Sequence, residues 1–137
     1  MKRLTRNSYP GILCAAVILL LTGLPGTCFP PVKPIIGLDK VIHMLMYAGF
    51  TFALIWGYRE PFRERGADYR KKAFWMAVII GVAYGALTEI MQETLIPLRT
   101  GSVYDWFADV IGSVLGAGFA YFFLRDRNNL KNEALDK

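Results

Sequence analysis

Apolar residues in this chain are bunched into four windows, at residues 10–28, 41–58, 73–93 and 105–124, separated by polar connectors. A helix needs about 20 predominantly apolar residues to cross a bilayer, and each window reaches or approaches that length. The pattern predicts an all-α protein, a polytopic transmembrane bundle of four spans. The connector FPPVKPIIGLDK, residues 29–40, contains three Pro and one Gly and is expected to be extended. Asp39 at its end is placed to cap the second helix. The connector at 59–72 is short and charged, and residues 125–137 read as a short charged tail. There is no evident internal repeat and no second segment large enough to fold separately, so residues 1–137 are read as one domain.

Composition agrees with the pattern. Of 137 residues 54% are hydrophobic, and the mean hydropathy of +0.32 is high for a soluble domain of this size. The net charge of +5 would suit a nucleic-acid partner, but the positions of the bases argue for orientation instead. Lys2, Arg3, Arg6, the bases between Arg59 and Lys72, and Arg125, Arg127, Lys131 and Lys137 fall on one side of a four-span topology. Lys33, Lys40 and Arg99 fall on the other. Because cytoplasmic loops carry the excess of Lys and Arg, both termini are expected in the cytoplasm. The outer loops are then 29–40 and about 94–104. The lipid bilayer is the expected partner and nucleic acid is not. Glu60, Glu64 and Asp68 break up the basic patch in the middle loop.

The first window also fits a cleaved signal peptide, with Lys2, Arg3 and Arg6 before the apolar run and small residues near Gly26. A retained span is the preferred reading because three further spans follow. Lipidation of Cys28 is disfavoured by Pro25, Gly26 and Thr27 before it. Cys14 and Cys28 would lie about 20 Å apart on one helix and cannot pair.

Small residues recur every fourth position in the last two spans, as Ala77, Gly81 and Gly85 and as Ala108, Gly112, Gly116 and Ala120. Such stripes let membrane helices approach closely, so these two spans are expected to pack face to face through Gly81, Gly85, Gly112 and Gly116. The third-span stripe continues into Glu89 and Glu93, with Gln92 on a neighbouring face, and the fourth span opens with Asp105 and Asp109. The second span adds Asp39, Lys40 and His43 at its own outer end. Polar residues from three helices thus gather in one layer. Asp39 and Asp105 suit interfacial helix starts. Glu89 and Asp109 lie one to two turns deeper, where a lone charge costs ~2.5–3.5 kcal/mol on insertion scales.

Those acids require protons, bases, a cation or water. They fit a structural knot with Arg99, Lys40 and His43. They also fit a divalent-cation site of Glu89, Asp105, Asp109 and His43, an anion site gripped by the Arg99 fork beside Lys40 and His43, or a catalytic pair with His43 or Glu89 as general base. The spacing matches no metal motif, and the sequence assigns neither a metal nor a cofactor. Without a nucleophile motif or Gly-rich phosphate loop, it leans away from an enzyme. Trp56, Tyr58, Trp75 and Trp106 fall near span ends and read as interfacial belt residues.

Asp39-Lys40 with His43, Gly85 with Glu89 and Gln92, then Arg99, Asp105 and the Gly112–Gly116 pair resemble, in order and spacing, the VanZ-like membrane proteins. The resemblance covers nearly the whole chain. It implies a small bacterial multi-pass protein of the cytoplasmic membrane, in a family named for a member linked to low-level teicoplanin resistance. No reaction is implied. Where the family pattern D-x-x-x-N-x-x-G has Asn, this chain has Asp109, which adds a titratable group. The combined expectation is an outward-facing polar groove of Asp39, Lys40, His43, Glu89, Gln92, Arg99, Asp105 and Asp109. It would bind an anionic lipid or cell-wall precursor head group. The alternatives are a membrane scaffold that associates with other membrane proteins, or a small transporter or accessory subunit in which Glu89 titrates.

Overall fold

The computed structural model describes residues 2–25, 37–97 and 101–135. Five helices account for nearly all of them: α1 (Lys2–Gly23), α2 (Leu38–Gly57), α3 (Arg59–Glu64), α4 (Ala67–Leu95) and α5 (Val103–Leu135). Three stretches, Leu38–Gly57, Ala67–Leu95 and Val103–Arg125, are long and apolar enough to cross a membrane, and the apolar part of α1, Ser8–Gly23, is shorter. This is an all-α, multi-pass membrane architecture. The outward surface is what lipid requires: Ile79, Ile90, Phe119 and Phe122 are each about 60% exposed, which water would penalise and hydrocarbon does not.

The charged connector at 59–72 is mostly helical, since α3 and the first turn and a half of α4 occupy it. Likewise α5 continues beyond its apolar window through the charged residues to Leu135. Asp39 does not cap α2. Gly37 takes the cap position with φ 94°, a left-handed conformation open to Gly, and Asp39 sits exposed in the first turn. At the start of α5 the cap belongs to Ser102, whose carbonyl and Oγ both accept the Asp105 N–H, at 3.0 and 3.4 Å.

Helix α2 sits at the centre, packed against α5 most extensively and also against α1 and α4. Contacts between α2 and α5 rise together along both helices: Lys40 with Asp105, His43 with Asp109, and Thr51 with Ser113. The two helices are therefore parallel. Helix α4 runs antiparallel to them, with Gly85 against Asp109 and Gly81 against Ser113.

The small-residue stripes are used differently from the face-to-face expectation. Gly81 and Gly85 of α4 do meet α5, but on Ser113 and Asp109. Gly112 and Gly116 of α5 turn to α2, where a Cβ would run into the backbone carbonyls of Met44 and Ala48. The reason is physical: a glycine packed on a backbone carbonyl needs no small side chain opposite it, so the partner helix carries no matching stripe.

Two apolar clusters complete the bundle. Ile55, Phe62, Ala77, Val78, Ala117, Ala120 and Leu124 pack where α3 joins α4 and α5. Ile18, Tyr47 and Phe50 pack α1 onto α2, with Cys14 beside them and Tyr84 of α4 completing the contact. Cys14 is a free thiol, and Cys28 lies outside the described residues.

Candidate functional site

The site lies at the end of the bundle where α2 and α5 begin and α4 finishes. His43 in α2, Glu89 in α4 and Asp109 in α5 converge there, each buried. Asp109 Oδ1 is 3.0 Å from His43 Nδ1, and Glu89 Oε1 is 3.7 Å from the same nitrogen. Gly85 makes this possible. Its missing side chain leaves space that Asp109 occupies, for a Cβ there would lie 2.9 Å from Asp109 Oδ2.

Each acid has one satisfied oxygen and one that is not. Glu89 Oε2 accepts the Ser102 backbone N–H at 2.7 Å, tying α4 to the start of α5. Asp109 Oδ1 faces His43. The remaining oxygens, Glu89 Oε1 and Asp109 Oδ2, are buried without a hydrogen-bond partner among the described residues. Two carboxyl groups share a single imidazole, so even a protonated His43 would neutralise only one of them.

Closer to the helix starts, Lys40 Nζ donates to Asp105 Oδ1 at 3.1 Å. Lys40 is about half exposed, at 48%, whereas Asp105 is 12% exposed. This pair forms the rim, with exposed Asp39 beside it. Oxygens of Asp39 and Asp105 and a ring nitrogen of His43 lie within 4.8 Å of one another, so rim and buried cluster are continuous.

Below the cluster a second tier of hydrogen bonds holds the helices. Thr88 Oγ1 donates to the Gly85 carbonyl at 2.9 Å, which leaves it to accept from the Tyr47 hydroxyl at 2.7 Å. Thr51 Oγ1 lies 2.9 Å from the Tyr47 carbonyl and 3.0 Å from that of Ser113.

The expected site residues therefore divide. His43, Glu89 and Asp109 meet, and Lys40, Asp105 and Asp39 adjoin them. Gln92 points elsewhere, donating to the Thr22 carbonyl of α1 at 3.3 Å. Glu93 is exposed and accepts the Gly101 N–H at 2.7 Å. Arg99 lies outside the described residues. Trp75 is exposed as an interfacial ring should be, but Trp106 is half-buried and donates its indole N–H to the Val82 carbonyl at 3.2 Å, so it is a helix tie and no simple belt residue. Tyr47, Thr88, Ser102 and Ser113 join the network without being singled out by the sequence pattern.

The family model described as VanZ/LLP1 matches residues 9–124. The chain belongs to the VanZ/LLP1 family. In this VanZ-family chain the matched segment includes every residue of the cluster and its rim, from Asp39 to Asp109. Comparisons with curated proteins and with solved structures gave no match.

Proposed function

We propose that this VanZ-family protein works in the cell envelope, in the bacterial cytoplasmic membrane. The beginnings of α2 and α5, facing outward, engage an anionic head group of a lipid or a cell-wall precursor. The observation that carries this reading is the position of Lys40: half exposed at the rim, held by Asp105, and directly above a buried His43–Asp109–Glu89 cluster. An ammonium at the bilayer surface, aimed by a fixed carboxylate, attracts a phosphate from the adjoining lipid layer. Arg99 belongs to the connection between α4 and α5, whose end at Gly101 and Ser102 is fastened to Glu93 and Glu89. We assign the bidentate contact to its guanidinium, while Asp105 holds Lys40.

The test uses the detergent-purified full chain and native mass spectrometry. Retention of phosphatidylglycerol and of a polyprenyl pyrophosphate is compared for wild type, Lys40→Ala and Arg99→Ala. The proposal expects each substitution to reduce retention of at least one of the two lipids severalfold, and the preferred lipid identifies the source of the phosphate. Unchanged retention of both by folded variants would overturn it.

A second reading, a membrane scaffold with a purely structural cluster, is favoured by Gly49 and Gly118. A Cβ at either would meet nothing within 4 Å, leaving small-residue positions open to another helix. Crosslinking in the membrane from Gly118→Cys would trap a neighbour in that case.

A further inference from the structure

We propose that His43, Glu89 and Asp109 bind one divalent transition-metal cation of the zinc or manganese class. One ligand atom from each residue lies within 4.8 Å of the other two, although the residues come from three helices. The separations from His43 Nδ1 are 3.0 Å to Asp109 Oδ1 and 3.7 Å to Glu89 Oε1. Metal bonds of about 2.0–2.2 Å to nitrogen and oxygen place neighbouring ligand atoms roughly 3.0–3.6 Å apart. The three atoms thus surround a point that one ion reaches with small side-chain adjustment.

A separate observation points to a ligand there. Glu89 Oε1 faces His43 from a side chain only 9% exposed, and it has no hydrogen-bond partner among the described residues. Asp109 Oδ2, on a side chain with no exposure, also has no partner among the described residues, but it lies against Gly85, so Glu89 Oε1 is the oxygen that faces the site. Native interiors rarely leave such oxygens unsatisfied.

Charge leads to the same conclusion. With both carboxyls ionised and the imidazole neutral the cluster would carry two negative charges, which a divalent ion cancels, whereas the nearby Lys40 is engaged at the rim by Asp105. An uncompensated charge at this depth in a bilayer is costly.

The donor set selects the kind of metal. An imidazole nitrogen with two carboxylates suits zinc or manganese better than magnesium or calcium, which favour oxygen alone, and it offers no thiolate for copper(I). Three protein ligands leave at least one coordination position free. The Ser102 N–H holds Glu89 Oε2 and so orients that ligand. When the ion binds, the Nδ1 lone pair goes to the metal and any proton between Nδ1 and Asp109 is released to water. Metal binding does not depend on the head-group reading, and the two are measured separately.

The test takes the full, tag-free chain in detergent, strips it with EDTA and titrates it with zinc chloride or manganese chloride. Calorimetry gives the affinity and mass spectrometry counts the metal. One equivalent per chain in the micromolar range or tighter is expected, with no competition from equal magnesium. Glu89→Gln and Asp109→Asn, which keep side-chain size and a carbonyl oxygen, should each weaken binding about tenfold or more. Substoichiometric uptake by wild type would overturn the proposal, as would competition by magnesium at parity or unchanged binding in either folded variant. X-ray absorption of the zinc-loaded wild type decides independently of any variant. The chain has a single His, so an imidazole shell identifies His43, and an all-oxygen shell would exclude it.

Discussion

Gly116 of α5 lies against the backbone carbonyl of Ala48 in α2, so close that a Cβ on the glycine would collide with that oxygen. With Gly112 on the Met44 carbonyl one turn earlier, this contact sets how near α2 and α5 can come. The spacing of His43 from Asp109 depends on it.

Replacing Gly116 with Ala should therefore destabilise the bundle by about 1–3 kcal/mol, the usual cost of overpacking. Gly118→Ala is the control, because its Cβ meets nothing within 4 Å. Ala is the better helix former by about 1 kcal/mol, so that variant should be neutral or slightly stabilised. Thermal unfolding of both in one detergent reads the difference.

At Asp109, size and charge separate. Asp109→Ala leaves His43 without its 3.0 Å partner in a site with no exposure, and a loss of about 3 kcal/mol or more is expected. Asp109→Asn keeps an oxygen in the same place and should remain within about 1 kcal/mol of wild type. Denaturant unfolding in mixed micelles compares them.

Lys40→Ala should spare the stability that Asp109→Ala removes. Its ion pair with Asp105 is half open to solvent, and such pairs contribute at most about 1 kcal/mol. Accumulation and unfolding should stay near wild type while anionic lipid retention falls.

Tyr47→Phe tests the tier beneath the cluster. Thr88 keeps its bond to the Gly85 carbonyl and loses only the incoming hydroxyl, so about 0.5–1.5 kcal/mol is expected. Metal uptake by this variant should match wild type.

The positions of α2, α4 and α5 were legible from hydrophobic runs alone, because lipid demands nearly continuous apolar sequence. Asp39, Lys40, His43, Glu89, Asp105 and Asp109 could be assigned to one layer by counting turns from the span ends. Counting turns does not give the direction each side chain faces, and so it groups Gln92 with residues that Gln92 does not meet. A further signal is present in the sequence: Asp39, His43, Tyr47 and Thr51 recur every fourth residue along α2, as Asp105, Asp109 and Ser113 do along α5. Two polar stripes of equal pitch on parallel helices pair with each other, and that pairing includes Tyr47 and Ser113. The backbone contacts of Gly112 and Gly116 leave no such trace, since carbonyls are common to every residue.

The parallel arrangement of α2 and α5 also bears on biosynthesis. His43 and Glu89 are translated before Asp109, and the Met44 and Ala48 carbonyls before the glycines that settle on them. Helices made earlier must wait in the bilayer for the last one, so the acid-lined centre closes only as a final docking step. A chain interrupted before α5 would present these polar side chains to lipid or to quality-control proteases.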